Sequence, residues 1–240
     1  MVSPITISTS SEPRVITGWK RVAWPVLRTQ PLEMSVTSLP APMKKMSQAI
    51  LQRVNTIAGR HGLLKGMDGI THFQMRGQIP TVLVVSPWSF EKTPIWEAAL
   101  KEMVTSLTEL IRASPTRDGA IHVEIIAPEL TKTIYYTCID DPHLSVTWDS
   151  VRPKVCKCLE SSEATKGKMN TIGLERYGVL SDLKANPATI HISVDDDSDE
   201  TGWNEVIAHI KKMLEGEEGW GHLNVHMEHN ENWGMGNVFD

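Results

Sequence analysis

The sequence predicts an α+β protein made of two βαββαβ units, and three observations carry that prediction: a gapless internal repeat, a helical stripe behind each copy's strand, and a fainter likeness that extends the repeat outward. The segment from Pro80 to Leu107 aligns without a gap on the segment from Pro187 to Leu214, matching Leu83 to Ile190, Val85 to Ile192, Ser86 to Ser193, Trp96 to Trp203 and Leu100 to Ile207. Val82 to Val85 and Thr189 to Val194 are rich in β-branched residues and preceded by proline, which predicts a strand at the head of each copy. Behind the strands, Trp96, Ala99, Leu100, Met103, Leu107, Leu110 and Ile111, and again Trp203, Val206, Ile207, Ile210, Met213 and Leu214, recur at the spacing of one helical face. Thr93 before Pro94 reads as a helix cap, and Thr201 as its counterpart. A further strand follows each helix, Ala120 to Ile126 and His222 to Glu228, so each copy predicts a parallel crossover.

Outside this block, the stretch ending at Gly77 resembles the stretch ending at Gly178, and Ser35-Val36-Thr37 recurs as Ser145-Val146-Thr147 ahead of helices predicted from Pro42 to about Arg60 and from Pro153 to about Glu160. The elements therefore run twice through βαββαβ, with copy boundaries that are circularly ambiguous. Such a unit is expected to form a ferredoxin-like, split βαβ sheet with both helices on one face. The predicted organisation is a loose Ser/Thr/Pro-rich tail over 1–15, a first repeat over 16–130, a second over 131–232 and a tail over 233–240.

Composition narrows the function classes. With 40% hydrophobic and 22% charged residues the chain is ordinary for a globular protein. A net charge of −5 without a Lys/Arg block argues against nucleic acid as a partner. No apolar run has the length of a signal peptide or a membrane span, and Cys138, Cys156 and Cys158 are an odd number, so the expectation is a cytoplasmic protein with no membrane partner. Glycine-rich nucleotide loops and a nucleophile elbow are missing, and no cofactor is expected.

The stretch from Thr133 to Lys154 carries a resemblance. Tyr135 and Tyr136 on a strand, the turn Asp140-Asp141-Pro142 and then Trp148-Asp149-Ser150 before a short helix resemble the middle of dimeric α+β barrel proteins of the antibiotic-biosynthesis-monooxygenase type. The resemblance implies two sheets packed face to face as a pseudo-dimeric barrel, in a monomer or a homodimer. It also implies a small organic ligand, and a cofactor-independent monooxygenase or a related isomerase or cyclase acting on an aromatic or polyketide-like compound. Family members often carry a histidine just after the Trp-Asp-Ser positions, where this chain has Arg152-Pro153-Lys154. A non-catalytic scaffold derived from such a barrel is the alternative expectation.

The last predicted strand alternates His222, Asn224, His226 and Glu228 with Leu223, Val225 and Met227. Imidazoles and a carboxylate at that spacing either ligate a metal or form a wet polar face, and no metal site is assigned. His191 lies on the partner strand, and His122 and Glu124 lie on the corresponding strand of the other copy. His191, His226 and Tyr136 are the expected catalytic residues, and Trp148, His122 and Asn224 the expected ligand contacts, as polar or aromatic groups on sheet strands. The run Asp195, Asp196, Asp197, Asp199 and Glu200 lacks the glycine of a calcium loop and reads as a solvated loop ahead of a helix.

Overall fold

The computed structural model describes residues 13–28, 37–64, 69–112, 121–131 and 133–230. The expected tails, apart from residues 13–15, and the strand at Ser35-Val36 lie outside them, as does Trp233. The chain is α+β and divides into two compact units; the described residues form two mixed sheets and four α-helices. Among the described residues no helix is long and apolar enough to cross a membrane.

The first sheet holds β1 (Ile16–Gly18), β2 (Arg21–Trp24), β3 (Ile70–Arg76), β4 (Ile79–Val85) and β5 (His122–Ile126), in the order β1-β2-β5-β4-β3. The first unit's helices are α1 (Ala41–Arg60) and α2 (Thr93–Arg112). Met43, Ile50, Val54 and Ile57 form the buried stripe of α1, and Trp96, Leu100, Met103 and Leu107 that of α2. The stripes bury against Val82, Val84, Val123 and Ile125. Thr71 on β3 donates to Asn55 of α1 at 2.6 Å, which marks that residue's side as the helical face of the sheet.

The second unit runs β6 (Tyr135–Cys138), α3 (Pro142–Glu160), β7 (Met169–Gly178), β8 (Ala188–Val194), α4 (Trp203–Glu215) and β9 (Asn224–His229), with sheet order β6-β7-β8-β9. Ile190, Ile192, Val225 and Met227 share its helical face and are buried with Val151, Val155 and Leu159 of α3 and with Val206, Ile207 and Ile210 of α4. His229, in phase with them, packs its ring on Trp203 of α4 at 4.6 Å. The turn residues Gly18–Arg21 group with this unit, where Arg21 forms a buried ion pair with Glu200, Nε lying 2.8 Å from Oε1.

Four expectations need correction. The parallel pairs β4/β5 and β8/β9 are direct neighbours, so neither unit has the split βαβ of a ferredoxin-like sheet. The helix expected to start at Pro153 starts at Pro142 instead. The Asp141 side chain accepts from the N–H groups of His143 and Leu144, and the stripe Leu144, Val151, Val155 and Leu159 carries the helix through the internal proline. Ser145-Val146-Thr147 and the Trp148-Asp149-Ser150 positions are therefore helical, not strand and cap. The second crossover helix is led by a 3-10 turn, Glu200–Gly202, capped by Asp199, which accepts from the N–H of Thr201; Thr93 is already helical. Finally, the gapless repeat sets Leu83 against Ile190, but Leu83 lies on the face away from the helices and Ile190 on the face toward them. The strands match one residue out of phase with the tryptophans, and a single-residue slip exchanges the two faces.

Candidate functional site

The face of the second sheet that points away from α3 and α4 carries a polar cluster. Parallel pairing of β8 with β9 sets His191 beside His226 and Ser193 beside Glu228, and antiparallel pairing sets Gly173 of β7 beside His191 on the other side. Tyr177, four residues along β7 on the same face, leans toward both imidazoles. Its ring centroid lies 4.9 Å from that of His191, with 18° between planes, and 4.7 Å from that of His226. Between Tyr177 and Gly173 on that face stands Glu175, whose Oε1 would lie 3.2 Å from a Cβ placed on Gly173.

Glu228 ties the cluster together. Its Oε1 lies 2.8 Å from His191 Nε2, its Oε2 accepts from the Tyr177 hydroxyl at 2.8 Å, and the same oxygen lies 3.3 Å from His226 Nε2. A carboxylate only accepts, so Nε2 of His191 carries the proton in that bond and Nδ1 is left as the basic nitrogen of the neutral ring. Burial acts first on Glu228, pushing its carboxyl up, but the hydrogen bonds from His191 and His226 outweigh it and hold the group well below the usual carboxylate range. For His226 burial wins: it lowers the imidazole pKa, and the Glu228 carboxylate offsets that only in part. His226 is 8% exposed, His191 17% and Glu228 43%, so the route to solvent runs past Glu228 and His191.

Of the six expected site residues, the structure brings together His191 and His226. Asn224 is an exposed residue at the start of β9, in phase with His226. Tyr136 lies opposite Tyr177 in register on the edge strand β6 and is 53% exposed. Trp148 is not on a strand: it sits in α3, stacked on Trp220 at 5.9 Å, in the helical layer on the other side of the sheet. His122 belongs to the first unit, where its Nε2 donates to the Val26 carbonyl at 2.8 Å. His222 precedes β9 instead of belonging to it. Tyr177 was not among the expected residues, because its contact with the histidines depends on the register of three strands, which does not show as a local motif.

Among the described residues no group of three or more His, Cys, Asp or Glu side chains is placed to hold a metal ion. The acidic run is dispersed over separate partners: Asp195 accepts from Asn170, Asp197 faces Lys168, Asp199 caps the 3-10 turn and Glu200 is buried against Arg21. A groove of about 700 Å³ lies where the end of α3 meets the start of α4, lined by Cys158, Ser161, Thr201, Glu205 and His209 among others, and none of the cluster residues borders it. No protein-family model matches the chain, and no curated protein matches it as a relative.

Proposed function

We propose that the second unit binds a small organic molecule on the polar face of β7, β8 and β9, with His191 as the contacting base. The observation that carries this reading is the dyad of His191 Nε2 and Glu228 Oε1 at 2.8 Å, with Tyr177 donating to the same carboxylate. A carboxylate on one imidazole nitrogen orients the ring and strengthens the other nitrogen as a base, which is how acid–base sites are commonly built. A neutral His191 can then accept, at Nδ1, a proton from an acidic O–H or C–H of a bound compound, while Glu228 stabilises the imidazolium that forms. The Tyr177, His191 and His226 rings supply an aromatic wall suited to a flat ligand. Proton removal is the opening step expected of the cofactor-independent oxidation, isomerisation or cyclisation that the Thr133–Lys154 resemblance implies. The βαββαβ order present in both units supports reading the chain as two copies of one module.

The scaffold reading has one observation in its favour: the 700 Å³ groove of the same unit is not lined by the cluster. Calorimetric titration of a panel of phenols, enols and aromatic acids into the wild-type chain, His191→Ala and Glu228→Gln separates the two readings. Binding that weakens at least about tenfold in both variants is expected. Equal binding by all three chains, or none by any, leaves the scaffold.

A further inference from the structure

We propose that the Glu228 cluster is a proton-operated latch, closed while its imidazoles carry at most one proton beyond neutrality and opened when both are protonated. One carboxylate is shared by two imidazoles and a phenol, so it can compensate one imidazolium but not two. The two imidazole centroids are 6.1 Å apart and their planes differ by 17°, so a second proton sets like charges ring against ring. His226 is nearly inaccessible, which denies the second charge the water that would otherwise screen it.

The groups on the His226 face pull in both directions. On β9 there is Glu228, on β8 His191, and on β7 Tyr177 with Glu175 two residues before it on the same face. Lys20 adds a positive field that disfavours a charged His226, although its ammonium is itself 3.1 Å from Glu129. His191 is the more exposed ring and has the shorter contact with Glu228. Entry of the second proton drives the imidazoles apart and breaks the stack that Tyr177 makes with both. As a regulatory device the latch rests on the ligand reading above, since acid would then release the ligand by taking apart its wall; as a property of the fold it does not.

The test uses the full chain without ligand, so its outcome is separate from that of the binding titrations. Histidine Cε1–Hε1 and tyrosine ring resonances are followed by NMR from about pH 8 to about pH 4. In the wild type the His191 and His226 signals should titrate in two distinct steps, with the ring-current shifts of Tyr177 lost at the second. In His226→Gln the second step should vanish and the Tyr177 shifts should persist through the range where the wild type loses them. Should that variant fail to fold, His191→Leu serves instead, and there the single remaining imidazole should titrate without the loss at Tyr177. Coincident, independent titration of the two histidines, or loss of the Tyr177 shifts at the same pH in the variant as in the wild type, would overturn the latch.

Discussion

The two sheets use the same cross-strand positions for opposite purposes. In the first, the row His72, Leu83, Glu124 crosses β3, β4 and β5; in the second, the row Gly173, His191, His226 crosses β7, β8 and β9 in the same register. Two pairs further along the outer strand stand Arg76 and Tyr177. In the first unit Arg76 Nη1 meets Glu124 Oε2 at 3.2 Å with both side chains buried, an ion pair shielded from water. In the second the same places hold a phenol and an imidazole, Tyr177 and His226, gathered on a carboxylate that is 43% exposed. A buried Arg–Glu pair is built to stay as it is, whereas a shared, half-exposed carboxylate is built to respond.

Breaking the buried pair should have the largest effect. Arg76→Ala leaves Glu124 buried at 0% exposure without its guanidinium, and a loss of about 3–5 kcal/mol is expected from urea unfolding. A loss as small as that of a surface substitution would mean the first sheet's polar face is no more fixed than the second's.

The paired glycines sharpen the contrast. Gly77 turns the β3–β4 hairpin at φ +58° with nothing near its missing Cβ, whereas Gly178 ends β7 against the Asn186 side chain, which in turn accepts from the N–H of Leu180 at 3.0 Å. Gly178→Ala should therefore cost about 1–3 kcal/mol through overpacking, and Gly77→Ala about 1 kcal/mol through backbone strain. The reverse ranking in thermal unfolding would show that the two turns are alike after all.

Tyr177→Phe removes one hydrogen bond to a carboxylate. Such bonds contribute more when buried, but the exposure of Glu228 reduces this one to about 1 kcal/mol. The same variant should bind aromatic compounds more weakly.

The upper part of the pH dependence, in the histidine range, is expected to be shallow and to come from the second unit. His226 has a lowered folded-state pKa, so its stabilisation is complete above the unfolded value of about 6.5 and is lost as pH falls below that value. Glu228 is also lowered, so its contribution is present above the ordinary carboxylate value and is lost as pH falls through the depressed one. Stability measured by urea midpoints should decline from about pH 6.5 downward, and His226→Gln should flatten the upper part of that decline. A decline of equal size in the variant would assign it to other groups.

Much of this was legible in the sequence. The β-branched runs, the helical stripes and the parallel crossovers each follow from short-range pattern, and they recur as β4-α2-β5 and β8-α4-β9. The alternation around His226 was equally visible, and it brought His191 and His226 to one face. What failed depended on longer range. Pro153 looked like a helix start because an internal proline is costly, yet the Asp141 cap and the buried stripe of α3 override it. The first strand of each βαββαβ set joins opposite edges, β2 beside β5 but β6 beside β7, and nothing local encodes that choice. The strand phase was lost because the tryptophans anchor the helices and the intervening loop absorbs one residue. Tyr177 was missed for a related reason, since only the three-strand register shows that it reaches the imidazoles.

The most direct test of the account is a ring-nitrogen NMR experiment on histidine-labelled chain in the presence of any small molecule that binds it. The account predicts that the ligand displaces the His191 and His226 signals and leaves that of His122, fixed on the Val26 carbonyl, where it was. A ligand that moves His122 while His191 stays still would contradict it.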